Sequence, residues 1–302
     1  MSKKVFLTGA TGLIGKETLP FLLENDFEIY ALCRENSSRN SSLAQNVNFV
    51  KVDLFDENDI SRILSEIKPE YLLHFAWITG DDYLTNPLNN EYVNASMNLL
   101  EAFRKNAGKR AVFAGTCFEY AFKDEVLKEN DKLDPQSLYA KCKVELCQKA
   151  MEYCDENNIS FGWGRIFYTY GHNENPSRLT AYIINNLALN KPVSIKHSHL
   201  VRDYMYSKDI ARAFVKFLLS NKNGAVNIGT GNGISLGKYA RIIGEIMNKT
   251  HLLDLQSLDT NLPKSIIADT GILENEIGFK AQYSNEEMIK SALEEIIKSY
   301  IN

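Results

Sequence analysis

A short apolar run, Lys4-Val-Phe-Leu-Thr8, leads straight into Gly9-Ala-Thr11-Gly12-Leu13-Ile14-Gly15, after which Leu13 to Leu23 carries apolar residues at helical spacing. A buried strand, a glycine turn and a helix in that order constrain the fold more than any other feature of the chain. Glycines let the backbone approach a bound group closely, and amides at a helix N-terminus hold negative charge, so this turn suits a pyrophosphate. A plain strand-to-helix turn is the other reading of the same residues.

Apolar strand-like runs then alternate with amphipathic helical stretches. The strand candidates are Phe27 to Cys33, Val47 to Val52, Tyr71 to Ala76, Ala111 to Gly115 and Ser160 to Ile166. Such alternation implies crossover units and a parallel sheet with helices on both faces. After about Tyr168 the pattern becomes irregular, and Gly171-His-Asn-Glu-Asn-Pro176 reads as a loop. A chain of 302 residues, 44% hydrophobic, can bury one large core or two unequal lobes. Its net charge of -4 gives no electrostatic argument for nucleic acid. No apolar run spans a bilayer and no signal peptide precedes the first strand, so a cytoplasmic protein with no membrane partner is expected. Cys33, Cys117, Cys142, Cys147 and Cys154 lack zinc or Cys-x-x-Cys spacing and read as free thiols. His197 and His199 lack a third ligand, so no metal is expected.

Tyr139-Ala-Lys-Cys-Lys143 sets a tyrosine and a lysine four residues apart. On a helix both share one face, so the ammonium can stabilise a phenolate beside whatever the turn binds. Asp134-Pro135 offers a cap and a first-turn proline, which predicts the helix start there. Turn and pair together point to nicotinamide chemistry. In NAD-binding folds an acid about 20 residues past the glycines bonds the ribose, whereas an arginine accommodates the NADP phosphate. Here that place falls near Cys33, followed by Arg34 and Arg39. NADP(H) is therefore expected, with NAD(H) the alternative if both arginines are solvated loop charges.

The Gly-x-x-Gly-x-x-Gly spacing resembles the short-chain dehydrogenase/reductase superfamily in its extended form, that of the NAD(P)-dependent sugar-nucleotide epimerases and dehydratases. The resemblance covers nearly the whole chain. It implies an α/β fold with a Rossmann-like doubly wound parallel sheet in residues 1–167, a smaller α/β substrate lobe in 168–302 and a return to the sheet near 203–228. In Ala114-Gly115-Thr116-Cys117-Phe118-Glu119-Tyr120 it selects Thr116 as the hydroxyl that bonds the reacting oxygen. By the same resemblance Tyr139 is the acid–base group, and Lys143 tunes it and holds the nicotinamide ribose. Gly9, Thr11, Gly12, Leu13, Ile14, Gly15 and Ala76 would face the cofactor, and Asp53-Leu54 its adenine. Asn94 would order the lysine and a water. Asp53 reads equally as a helix cap, and Asn94 as helix surface. Arg202 would grip the diphosphate of a nucleotide sugar, for which a guanidinium is well shaped. Arg178 is a second such candidate, open to reading as an exposed charge. Tyr83, Cys117, Phe118 and Tyr168 would shape the sugar pocket. The resemblance also implies a homodimer paired through helices around Asn90 to Asn106 and Tyr139 to Glu156.

The 4,6-dehydratases of this family carry Asp-Glu directly after the threonine, whereas Cys117 and Phe118 stand there in this chain and can supply neither proton transfer. Two enzyme readings remain: a 4-epimerase that retains NAD, and a 4-ketoreductase that consumes NADPH. The Arg34 region favours the second, and Trp163-Gly-Arg-Ile-Phe167 resembles reductases that finish deoxysugars on CDP or dTDP carriers. The expectation is therefore NADPH-dependent reduction of the C4 carbonyl of a nucleotide-linked 4-keto-6-deoxysugar, in deoxysugar and surface polysaccharide biosynthesis. A non-catalytic NAD(P)-sensing regulator is a third reading, opposed by the presence of Thr116, Tyr139 and Lys143. If Arg34 reads the phosphate, Arg34→Ala weakens NADPH by about tenfold or more and NADH far less, as judged by equilibrium titration. Equal losses would remove Arg34 from that role.

Overall fold

In the computed structural model, which describes residues 3–33 and 46–301, Lys3–Thr8 forms β1. Val5 and Leu7 of β1 enter one apolar cluster and Phe6 enters another. Alternation at period two thus feeds two buried faces, as a parallel sheet covered on both sides requires. The first half continues as α1 (Gly15–Glu24), β2 (Phe27–Cys33), β3 (Val47–Lys51), α2 (Glu57–Ile67), β4 (Tyr71–His74), α3 (Leu88–Lys105), β5 (Arg110–Thr116), α4 (Leu138–Glu156) and β6 (Ser160–Ile166). After it come β7 (Tyr168–Tyr170), α5 (Leu179–Ala188), β8 (Val193–Ile195), β9 (Val201–Arg202), β10 (Tyr204–Tyr206), α6 (Ser207–Leu219) and β11 (Gly224–Ile228). The helices α7 (Leu236–Ile246), α8 (Gly271–Asn275) and α9 (Glu286–Ile301) follow.

Seven parallel strands run in the order β11-β6-β5-β4-β1-β2-β3. The expected doubly wound sheet is present, and its order reverses between β1 and β4, where ligands of such sheets bind. Thr8 pairs with His74 at that crevice. The return to the sheet is made by β11 alone, in register from Gly224 opposite Gly162 to Ile228 opposite Ile166. Tyr204–Tyr206 instead pairs with β7 outside the large sheet. A Cβ on Gly162 or Gly164 would lie 2.5 Å from the Phe217 or Phe214 ring, so these two positions let α6 seat its aromatic side chains against β6.

Two sequence boundaries shift for local reasons. The α4 helix starts at Leu138, capped by the Ser137 hydroxyl, which accepts from the Ala140 amide at 3.1 Å. Asp134 is not the cap: it lies four residues before the first helical residue, and its amide donates to the Glu119 carbonyl at 3.0 Å. The β4 strand stops at His74, where the chain turns across the end of β1: the Phe75 amide donates to the Thr8 carbonyl and the Ala76 amide to the Thr8 hydroxyl.

A third apolar cluster joins Ile183 and Ile184 of α5, Tyr239 and Ile243 of α7, and Leu293 and Ile296 of α9. Among the described residues no helix is long and apolar enough to cross a membrane.

Buried Arg110, at the start of β5, fastens α6 and β11 to the sheet. Its guanidinium donates to the carbonyls of Phe217 (2.7 Å), Leu218 (2.9 Å) and Lys222 (2.8 Å), and to Ser160. The last turn of α6 has orphan carbonyls that this cation satisfies. Burial pulls the group down only to about 10, so it stays charged at neutral pH. Arg110→Met, which keeps the stem and strands these carbonyls, is expected to cost about 3 kcal/mol in urea unfolding.

Candidate functional site

The site is assembled where β5 ends. Thr116 closes the strand, its amide donating to Glu119 Oε1 at 2.8 Å while its hydroxyl accepts from the Phe118 amide at 3.3 Å. This reciprocal cap fixes the threonine's direction. Glu119 is fully buried and takes further bonds from Trp163 Nε1 (3.0 Å) and Arg165 Nε (2.7 Å). Arg165 also donates to the Tyr120 phenol (3.0 Å) and the Glu129 carbonyl (2.9 Å), and Tyr120 donates to Asn227 Oδ1 (2.6 Å).

Tyr139 and Lys143 come from the first turns of α4. Burial, with Tyr83 adding, pushes the Tyr139 phenol well up, and the Thr116 hydroxyl beside it pulls the other way. The Lys143 ammonium lies 6.0 Å from the Tyr139 ring centre. It donates to the Ala114 carbonyl at 2.8 Å and sits 3.7 Å from the centre of the Trp77 ring. Burial brings Lys143 down to about 7, against the opposing charges of Glu119 and Cys142.

At the crevice the glycine turn folds back on itself. Gly9 has φ +71°, and a Cβ there would lie 2.8 Å from the Ala76 nitrogen; a Cβ on Gly15 would lie 2.1 Å from the Gly9 carbonyl oxygen. Thr11 and Gly12 are exposed, and among the described residues the Leu13 and Ile14 amides donate no hydrogen bond within the chain. A tight turn with open amides at the mouth of a helix fits the diphosphate of a dinucleotide. Beneath it His74 is buried. The Ala76 amide donates to Thr8 Oγ1 and the Ser96 hydroxyl to the Tyr92 carbonyl, which leaves Thr8 donating to His74 Nδ1 (2.7 Å) and Nε2–H donating to Ser96 (2.9 Å). This neutral tautomer agrees with burial and the Lys143 charge holding His74 down at about 3.

On the opposite wall Tyr83 meets Tyr139 edge-on at 5.0 Å. The Arg178 guanidinium lies 4.4 Å over the Tyr83 ring and donates to its hydroxyl at 3.1 Å, so Arg178 is a partly buried cation rather than a free surface charge. Arg202 is buried and donates to the carbonyls of Val201 (2.7 Å) and Pro263 (3.1 Å), with its cation 5.7 Å from the Tyr168 ring. Among the described residues it has no carboxylate ion-pair partner. Asp203 next to it is committed elsewhere, to Thr230 and Gly231. Cys117 is buried, and burial drives its thiol far up, so it stands as a neutral wall. Phe118 contacts both Phe122 and Tyr168 with ring centres 6.1 Å apart.

Asn94 requires a correction. It lies exposed on α3, because helical periodicity turns Val93, Ala95 and Ser96 into the core and Asn94 outward. Tyr92 stacks on Trp77 at 5.1 Å. Asp53 is exposed and its carboxylate holds the Phe55 amide at 3.1 Å, while Asp56 caps α2; Leu54 is buried. Arg34 and Arg39 lie outside the described residues. His197 bonds the Leu258 carbonyl at 3.1 Å.

Trp77, Glu119, Arg165 and Glu174 escape the sequence reading. The isolated acid and base 46 positions apart give no local pattern, although two charges inside otherwise apolar segments are a usable sign. Glu174 lies in the loop before α5, close to the Thr180 hydroxyl, the Ala181 amide and Arg178. One of its oxygens, Oε2, is buried with no hydrogen-bond partner.

Residues 5–229 match the model of the NAD dependent epimerase/dehydratase family. The UDP-glucose 4-epimerase of Pisum sativum is 26% identical over 333 residues, with 96% of this chain and 94% of that protein covered. Among solved structures, the UDP-glucose 4-epimerase of Thermotoga maritima, determined with UDP-glucose, superposes with a TM-score of 0.88 at 21% identity, covering 98% of each chain. The Thermus thermophilus UDP-glucose 4-epimerase, in complex with NAD, gives 0.85 at 23% identity over 98% of this chain and 99% of that one. These structures share the fold.

Burial raises the Glu174 carboxyl to about 7. A raised carboxyl favours the folded state most below its unfolded value near 4.5, and that contribution is lost as pH climbs through 7. Glu174→Gln should therefore remove on the order of 2–3 kcal/mol of pH-dependent destabilisation, read as a flatter urea midpoint between about pH 5 and pH 8.

Proposed function

Because the chain belongs to the NAD dependent epimerase/dehydratase family, we propose that it is a nucleotide-sugar 4-epimerase that retains NAD. The observation that carries the reading is the convergence of Tyr139, Thr116 and Lys143 at the end of β5, with the Lys143 charge also reaching His74 at the crevice. When bound, the nicotinamide supplies hydride chemistry at the sugar C4. The chain supplies the proton: the Tyr139 phenol oxygen exchanges it with the C4 oxygen, and Thr116 Oγ1 orients that oxygen. Burial, with Tyr83 adding, favours the protonated phenol, and an ammonium at Lys143 is the charge that would favour a phenolate.

Residues 168–302, apart from the strand that returns to the sheet, act as the substrate lobe. Arg202, a buried cation without a carboxylate partner among the described residues, takes the diphosphate of the nucleotide sugar. Arg178 and Tyr83 close the side nearest Tyr139. NAD is preferred here over NADP because a neighbour of the same fold is a complex with NAD. The relatives named as 4-epimerases likewise favour epimerisation over the reduction expected from the sequence. The 4-ketoreductase remains the second reading, favoured by the Phe118, Phe122 and Tyr168 wall beside a neutral Cys117, a surface suited to the methyl group of a 6-deoxysugar.

One assay separates the two. Supplied with NAD and UDP-hexoses, an epimerase interconverts the 4-epimers with no net change in reduced nicotinamide. Stoichiometric loss of NADPH with a nucleotide-linked 4-ketosugar would replace this reading by the reductase. In either case Tyr139→Phe should lower kcat by roughly 10²- to 10⁴-fold and leave cofactor binding intact; retained turnover would remove Tyr139 from the proton transfer.

A further inference from the structure

The geometry points to Trp77 as a positioning residue for Lys143, its indole face holding the lysine's ammonium beside Tyr139. Lys143 is buried, has one carbonyl partner and, among the described residues, no ion pair. Glu119, whose charge reaches it, is committed to Arg165. The ammonium instead sits 3.7 Å from the Trp77 ring centre, with Trp163 a second, more distant face at 5.8 Å. Tryptophan is the strongest aromatic partner for a cation, and the attraction grows where water is excluded.

Trp77 is itself locked. Its Nε1–H donates to Asn89 Oδ1 at 2.7 Å, and fully buried Asn89 donates to the carbonyls of Tyr83 (2.7 Å) and Asn86 (2.8 Å). Tyr92 stacks on the ring with an interplanar angle of 29°. A continuous arm therefore runs from the first turns of α3 through Asn89 and Trp77 to the lysine. The other groups facing Lys143 are His74 at the end of β4, Glu119 after β5, and Tyr139 and Cys142 on α4.

The inference rests on the reading that Lys143 serves Tyr139, and the first measurement does not depend on turnover. The chain has two tryptophans, so indole emission of the free protein is followed from about pH 5.5 to 9 for the wild type and Lys143→Met. A step near neutral pH that Lys143→Met abolishes supports the contact; the same curve in both proteins overturns it. Next, kcat and KM are measured against pH for Trp77→Leu and Trp77→Phe. Trp77→Leu is expected to lower kcat about tenfold, leave KM within about twofold and move the alkaline limb to lower pH by roughly one unit; Trp77→Phe, which keeps a ring face, should restore most of both. A loss confined to stability or KM, with the limb in place, overturns the positioning role. If the fluorescence step is present but the wild type turns over no nucleotide sugar, the contact stands and only the proposed reaction falls.

Discussion

The ion pair between Glu119 and Arg165, almost wholly removed from water, is the interaction on which the rest of the site depends. Two charges in such a place carry a large desolvation cost, offset only when every remaining donor and acceptor is used. Here they are used. Glu119 collects the Thr116 amide and the Trp163 indole, and Arg165 reaches Tyr120 and the Glu129 carbonyl. Asn227 of the returning strand joins through Tyr120, and its own side-chain amide donates to the Leu127 and Asp269 carbonyls. Three neighbouring strands are thereby tied at one height, and the height is that of Thr116. The pair holds the threonine through its backbone amide.

Around this point the molecule keeps titratable groups in opposite states. His74 is neutral beneath the glycine turn, with both ring nitrogens satisfied, and the charge on Lys143 is part of what keeps it so. Lys143 lies against aromatic faces rather than a carboxylate, which leaves its charge available to a neighbouring phenolate. Arg202 has carbonyls and a ring for company and, among the described residues, no acid to neutralise it. The proposed chemistry follows from where countercharges are withheld.

Much of the fold was legible because its signals are local. Phe27–Cys33 and Ser160–Ile166 appear with the bounds read from apolar runs, and the tyrosine and lysine share a helix face as their spacing requires. The misplaced helix start has a local cause too: Asp134-Pro135 is a good cap in isolation, but Ser137, three residues on, is an equally good one, and its hydroxyl takes the Ala140 amide. Asn94 shows the limit of motif matching on a helix, where an error of two residues turns a side chain from the pocket to solvent.

By itself the sequence determined the strand–turn–helix start, the alternation that makes a parallel sheet, and the shared helix face of Tyr139 and Lys143, because periodicity and backbone freedom act between near neighbours. Only the tertiary structure decided that Glu119 meets Arg165, that Trp77 faces Lys143, that Tyr83 carries Arg178 to the tyrosine, and that Tyr204–Tyr206 pairs with β7 while Gly224–Ile228 rejoins the large sheet. Those contacts join residues far apart in the chain. They are set by which buried charges and rings find partners once the core has closed, a requirement that no stretch of sequence states alone.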